Sequence, residues 1–428
     1  MLTFILLYYL QKVNRFEKNL KIKNLTKAAA SVIMETNMGL WDYYERGFDM
    51  ENNKKTADGF FGNGFFDWQL SGEEYEAKRK EWKFNEEKYW GGFSREPVDP
   101  DLYKPPAWAI GHFKKHGKPV LAPTEGKWDC GRMGGGVHNG SVLWRNGQFY
   151  YIYRGERPIP EAERANPNIG YICDIGLAIS KDGINFEKRC DVSPFFGRDG
   201  DERYSFEDVN ISEYDGRYYM FVNRWDWAKF DDPSVSGIYM AYSDDLINWT
   251  KHGLVYPGAK RIHRNGVVLQ NAKNEAVRVN GKFVMYINDA LMGFSDDMIR
   301  WESVETDNLW PGGEGCFALA DYDKNQPDNI ILFTGGHHTG HFYAVGEVLF
   351  SKNDVTKPLD WLPRPVLYAE ERYPWENCLS ETEPRVIVSD WRDTVFFNGL
   401  LLHEGKWKVY YGGSEYYTCF AFSEDKAT

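Results

Sequence analysis

Along most of the 428-residue chain, apolar and polar positions alternate in short runs rather than at helical spacing. Five runs share one pattern, a tight polar turn followed by an aromatic, alternating segment. They are Asn146-Gly-Gln-Phe-Tyr-Tyr-Ile-Tyr, Asp215-Gly-Arg-Tyr-Tyr-Met-Phe-Val, Asn280-Gly-Lys-Phe-Val-Met-Tyr-Ile, Asp328-Asn-Ile-Ile-Leu-Phe and Glu404-Gly-Lys-Trp-Lys-Val-Tyr-Tyr. The Asn-Gly and Asp-Gly pairs predict hairpins, because a type I′ turn needs positive φ at both central residues. The turns begin at 146, 215, 280, 328 and 404, at intervals of 69, 65, 48 and 76 residues, each with room for a four-stranded unit and its loops.

A second signature falls between the first: Ser180-Lys-Asp-Gly-Ile-Asn-Phe, Ser243-Asp-Asp-Leu-Ile-Asn-Trp and Ser295-Asp-Asp-Met-Ile-Arg-Trp, with an echo at Ser423-Glu-Asp. Here a strand ends in a Ser-Asp turn and an aromatic returns to the sheet, as expected for the third-to-fourth strand hairpin of a blade. Two interleaved repeats, with five copies of the first, predict an all-β fold, a five-bladed β-propeller. A stacked β-sandwich ranks a distant second.

The amino-terminal part reads differently. A capping box at Ser71 and Glu74, with Tyr75, Trp82 and Tyr89 on one face, predicts a helix over about 72–90. The expected division is a partly helical appendage over 1–110 and a propeller over 111–428. The apolar run Leu2 to Leu10 is too short to span a bilayer, and its charges Lys12 and Arg15 follow it, unlike those of a signal peptide. The expected location is the cytoplasm. The small residues Ala28-Ala29-Ala30-Ser31 keep secretion or the periplasm open.

Composition narrows the partners. With 51 basic against 63 acidic residues, a net charge of −12 and no block of Lys and Arg, the chain lacks the basic footprint for nucleic acid or an anionic membrane. Six scattered cysteines without a CxxC pair suggest reduced core thiols rather than a disulfide scaffold or zinc module. Aromatics make up 16% of the chain, suited to filling sheets and also to stacking on sugar rings.

In a propeller the first strand of every blade lines a central funnel, so polar residues at its start converge. Reading back from each turn yields His138, Asn139 and Arg154 for blade one and Glu207, Asp208 and Asn210 for blade two. Blade three yields Lys273, Asn274 and Glu275 with Arg261 and His263 upstream. Blade four yields Glu314 with His337, His338 and His341, and blade five Asp393, Asn398 and Glu415. Tyr153 and Trp225 are the aromatics expected near the funnel mouth. The set has no Ser-His-Asp order and no Gly-rich phosphate loop. Carboxylates facing one pocket are what glycosidic cleavage needs, an acid for the leaving oxygen and a carboxylate to activate water or attack the sugar. Asp208 and Glu275 sit at matching register and are the expected pair. The three histidines are read as hydrogen-bonding groups, with no metal and no cofactor expected.

These residues resemble glycoside hydrolase family 130, the β-mannoside phosphorylases and mannosidases, and more distantly family 43. The matching pieces run from about Lys118 to Ser423: Pro119-Val-Leu121 leading to Trp128, Tyr153-Arg154-Gly155, Ile175 to Phe186, Phe206-Glu207-Asp208, Lys273 to Ala276, Pro365-Val-Leu367 with Glu376, and Tyr410-Tyr-Gly-Gly-Ser-Glu415. The resemblance implies Asp208 as proton donor. In a phosphorylase it also implies a basic cluster holding inorganic phosphate, which Arg154, Lys273 and His263 resemble. The Glu-Asp motif here continues with Val209-Asn210 where the family has Pro-Arg, and Glu415 stands where it has Asp. Losing an arginine removes a bidentate phosphate partner. The expectation is therefore inverting hydrolysis of a β-mannoside by Asp208 and Glu275, with Asn139, Arg154, Tyr153, Asn210, His263, Lys273, His338 and Glu415 binding an oligosaccharide. Phosphorolysis giving mannose 1-phosphate is the alternative, and a non-catalytic glycan-binding propeller is a third reading.

Overall fold

The computed structural model describes residues 106–423 except 112, 131–135, 159–170, 197–203, 230–231, 289–290, 307–309, 311–313, 339–341, 363–364, 371 and 378–393. The expected helix at about 72–90 and the expected appendage up to residue 105 lie outside the described residues. Blade one holds β2 (Val137–Arg145), β3 (Gln148–Arg157), β4 (Ile172–Ser180) and β5 (Glu187–Lys188), after a short β1 (Phe113–Lys115). Blade two holds β6 (Ser205–Tyr214), β7 (Arg217–Trp225), β8 (Gly237–Ser243) and β9 (Thr250–Leu254). Blade three holds β10 (Val267–Gln270) with its continuation β11 (Arg278–Val279), β12 (Lys282–Ile287), β13 (Leu291–Ser295) and β14 (Trp301–Glu305). Blade four holds β15 (Glu314–Ala320), β16 (Asn329–His338), β17 (Phe342–Ser351) and β18 (Asp360–Trp361). Blade five holds β19 (Val395–His403), β20 (Lys406–Gly413) and β21 (Tyr417–Ser423), and β1 returns as its outermost strand, pairing Phe113 with Ser423. The fold is the expected five-bladed β-propeller, closed by β1, which precedes blade one in sequence and pairs with the last strand of blade five.

The turn chemistry behaves as expected. Asn146 and Gly147 have φ of 51° and 76°, Asp215 and Gly216 52° and 75°, Asn280 and Gly281 51° and 83°, and Glu404 and Gly405 54° and 74°. Each pair joins the first and second strands of its blade. In the Ser-Asp hairpins, Asp182 Oδ1 accepts from the backbone N–H of Ile184 and Asn185 at 2.9 and 2.8 Å, and Asp245 and Asp297 repeat the arrangement.

Blade packing accounts for most of the aromatics. Successive residues of β3 feed two different cores: Phe149, Tyr151 and Tyr153 join blade five's Tyr410 and Phe420, while Tyr150 and Ile152 join blade two's Phe206, Met220 and Tyr239. Three further clusters fill the interfaces between blades two and three, three and four, and four and five. A strand buried on both faces needs large side chains at every position, so a propeller spends aromatics between blades before any reach a ligand.

The inner strands share a device at their starts. Bulges interrupt pairing between His138 and Ser141, Glu207 and Asn210, Gly315 and Phe317, and Phe397 and Gly399. Asn139 and Asp208 sit in two of them with φ of 46° and 55°, and Asn265, just ahead of β10, has φ of 50°. Asn and Asp tolerate this left-handed conformation better than most residues. The bulges turn these side chains out of the ladder.

Candidate active site

Arg154 organises the site. It follows Tyr153 in β3, so its side chain lies on the face of blade one that packs against blade two. The guanidinium is buried, its Nε donates to Cys173 Sγ at 3.2 Å, and it lies over the Tyr171 ring at 5.4 Å. Its terminal nitrogens face three carboxylates: Asp208 Oδ1 at 3.5 Å, Glu207 Oε2 at 3.7 Å and Glu415 Oε2 at 3.9 Å.

Asp208 is held from three sides. Asn139 Nδ2 donates to Oδ1 at 3.0 Å and Asn223 Nδ2 donates to Oδ2 at 3.0 Å, beside the Arg154 contact. Asn223 is fixed in turn by Asn265, whose backbone N–H donates to Asn223 Oδ1 at 2.8 Å. The next residue back, Arg264, pairs with buried Glu314 at the start of blade four. Blades one to three thus place an Asn, an Asp and an Asn at one height, and blades four and five add Glu314 and Glu415.

The electrostatics follow from burying acids together. Burial pushes the Glu415 carboxyl up to about 7, with Asp208, Glu207 and Glu314 adding to the rise and Arg154 opposing it. Burial also raises Glu207, again against Arg154, while Ser205 Oγ donates to Glu207 Oε1 at 3.0 Å. Burial, reinforced by Arg154, holds His138 well below the usual imidazole range, so it is neutral near pH 7. Among the described residues, the buried acceptor Asn210 Oδ1 has no hydrogen-bond partner. Asn210 itself follows the β6 bulge and is buried opposite Phe221.

Several expected site residues lie elsewhere. Glu275 is bridged to Glu213, and Ala276 N–H donates to Glu213 O at 2.8 Å, at the far end of β6 from Asp208. Five residues of strand separate Asp208 from Glu213, roughly 16 Å at about 3.3 Å per residue. That exceeds the about 6.5–9.5 Å suited to an inverting pair, so Glu275 is no partner for Asp208. Its carboxylate instead accepts from Asn271 Nδ2 at 2.7 Å within a turn. Lys273 is exposed in the same turn, where its carbonyl accepts from Arg145. The expectation failed because residues 271–277 interrupt blade three's inner strand between β10 and β11, so counting back from Asn280 stops short of Asn265. Tyr153 is fully buried and donates to Asp129 Oδ2 at 3.0 Å, stacked on Trp128. Trp225 is buried as well. His263 turns to blade three's outer strand: its Nε2 pairs with Ser303 Oγ at 3.0 Å, its Nδ1 with Arg261 O at 3.0 Å, and its ring stacks on Tyr256. The side chains of His337 and His338, and all of His341 and Asp393, lie outside the described residues. Sequence reasoning missed Asn223, Asn265 and Arg264. The Arg264-Asn265-Gly266 run, a polar turn just before a Val-Val-Leu strand, was the available signal.

A family model described as beta-1,4-mannooligosaccharide phosphorylase, that of glycoside hydrolase family 130, matches residues 168–427, more than half of the chain. The chain belongs to glycoside hydrolase family 130. A 1,2-beta-oligomannan phosphorylase of Thermoanaerobacter sp. (strain X514) is 28% identical over 311 residues, covering 70% of this chain and 92% of the relative. A beta-1,2-mannobiose phosphorylase of the same organism is 26% identical over 312 residues, with the same coverage of 70% and 92%. Among solved structures, a glycosyl hydrolase from Bacteroides ovatus superposes with a TM-score of 0.58 at 24% identity, covering 76% of this chain and 98% of that one. That last likeness establishes the fold. This family 130 protein is thus a glycoside-active enzyme, built on the propeller that its repeats predict.

Proposed function

We propose that the enzyme cleaves β-mannosides by phosphorolysis, with inversion, releasing a mannose 1-phosphate. The support is the family model and two relatives named as mannoside phosphorylases, together with the convergence of Asp208, Glu207 and Glu415 on Arg154 at the funnel end of blades one, two and five. On this reading the carboxyl cluster supplies a proton to the leaving oxygen, with Asp208, held by two amides, as the acid that the family resemblance implies. This reverses the weight between hydrolysis and phosphorolysis drawn from the sequence.

One observation favours hydrolysis as a second reading. Arg154 is already shared by three carboxylates, and neither Lys273 nor His263 stands beside it, so the expected basic cluster is not assembled from those residues. Incubation with β-1,2- and β-1,4-linked mannooligosaccharides, with and without inorganic phosphate, separates the two. Phosphate-dependent sugar 1-phosphate supports phosphorolysis, and phosphate-independent free mannose supports hydrolysis. Asp208→Asn is expected to lower turnover by about 10²–10⁴-fold with an unchanged melting temperature. Near wild-type turnover removes Asp208 from the mechanism.

A further inference from the structure

A carboxylate has about four acceptor positions, two on each oxygen, and the neighbours of Asp208 fill them unevenly. Oδ1 accepts from Asn139 Nδ2 at 3.0 Å and from the Arg154 guanidinium at 3.5 Å. Among the described residues, Oδ2 has one donor, Asn223 Nδ2 at 3.0 Å. Asn223 lies in β7 opposite Glu207, where the β6 bulge interrupts the ladder. It shares the side of Phe221, which packs towards blade three, and so reaches Asn265 ahead of β10. Its amide has one orientation there. Oδ1 accepts the Asn265 backbone N–H at 2.8 Å, and the two hydrogens of Nδ2 are divided between Asp208 Oδ2 and Asn265 Oδ1. Turning the amide over would set its oxygen against the Asp208 carboxyl and its NH2 against a backbone N–H. At 2% exposure, Asn223 makes all three contacts out of water.

The geometry points to Asn223 as a positioning residue for the proton transfer, holding Asp208 so that the proton it gives up sits on Oδ2, at the position Asn223 leaves open. This rests on the cleavage reading above, with Asp208 as its acid. Both positions on Oδ1 are taken by donors, so a proton there would displace Asn139 or Arg154. In the step, the O–H bond at Oδ2 breaks and its electron pair stays on Oδ2, while the proton passes to the departing sugar. The bond from the anomeric carbon to the glycosidic oxygen breaks, and an oxygen of phosphate or water bonds to that carbon. The proton the acceptor releases to solvent balances the one Asp208 takes back. As Oδ2 gains charge, the bond it accepts from Asn223 becomes charge-assisted and is stronger in the transition state than before it. A contact of that kind acts on kcat rather than on KM. Blade three, through Asn265, thereby sets the direction of an acid carried by blade two.

Steady-state kinetics of the full chain, with phosphate present, test this on two variants. Asn223→Ala removes the donor. Asn223→Asp keeps the shape and an acceptor for the Asn265 N–H, and changes only the atom that faces Asp208. On mannobiose both should lose about 10–100-fold in kcat, with KM within about threefold of wild type. On dinitrophenyl β-mannoside, whose leaving group departs without a proton, Asn223→Ala should lose less than about threefold. An equal loss on the two substrates means that Asn223 holds the sugar or the fold rather than the proton, and overturns the inference. Wild-type kcat in Asn223→Asp beside a loss in Asn223→Ala also overturns it, because the side chain then serves only to support the Asn265 backbone. A large loss in Asp208→Asn with wild-type turnover in Asn223→Ala overturns this inference alone. Wild-type turnover in both overturns it together with the assignment of Asp208 as the acid.

Discussion

At the scale of single residues, the site divides into side chains whose position follows from their own motif and those placed by a neighbouring blade. Asp208 and Arg154 were legible because each sits at a local mark, the Glu-Asp start of β6 and the end of an aromatic strand. Glu275 was misplaced by a loop that no local mark announces. Its structural role makes a sharp expectation. Glu275→Gln leaves kcat on mannooligosaccharides within about twofold of wild type, because its carboxylate accepts from Asn271 in a turn at the far end of β6 from Asp208. A loss of two orders of magnitude in steady-state assays would return Glu275 to the chemistry. Tyr153 shows the opposite error: an aromatic beside Arg154 was read as a sugar platform, yet strand alternation sends it into the core between blades five and one.

At the scale of elements, the bulges are what convert a uniform strand into a site. The β2 bulge brings Gly140 so close to β3 that an added Cβ would lie 2.7 Å from Tyr151 Cζ and against the Ile152 carbonyl. Its backbone N–H donates to Tyr151 Oη at 3.1 Å, locking the bulge to the ring below. Gly140→Ala therefore costs about 1–3 kcal/mol of stability as the backbone is forced apart. It also lowers turnover, because Asn139 next to it loses its aim at Asp208. Thermal melting and steady-state kinetics on the one variant check both, and an unchanged melting temperature would show that the bulge yields freely. The hairpin turns were readable because both positive-φ residues are adjacent in sequence. The bulges were not, because an inner strand's start is set by packing of its neighbours across the funnel rather than by its own residues.

At the scale of the whole molecule, closure depends on a short strand, and its anchors are titratable. β1 has three residues, one of which, Lys115, is buried between Glu376 at 2.7 Å and Glu370 at 3.2 Å. Just before it, the backbone N–H groups of Ile110 and Gly111 donate to the two oxygens of Glu347 in β17 at 3.1 and 3.2 Å, beside Tyr322. This strap crosses from blade four to blade five. Burial pushes the Glu347 carboxyl from an ordinary 4.5 up to about 8, with the two amides opposing the rise. A carboxyl raised in the folded state binds its proton more tightly there than in the unfolded chain. Its stabilising contribution is therefore complete below about pH 4.5 and is lost as pH rises through about 8. The loss is on the order of 5 kcal/mol, at about 1.36 kcal/mol per unit. Glu347→Gln keeps an acceptor for one amide and removes the titration. Its melting temperature should fall less than that of wild type between about pH 5 and about pH 8. Glu415, Glu207 and Glu376 are raised by burial in the same direction and preserve part of the slope. Parallel curves for wild type and variant would mean that Glu347 stays ionised in the folded protein and that its two amide contacts are made to a charged carboxylate.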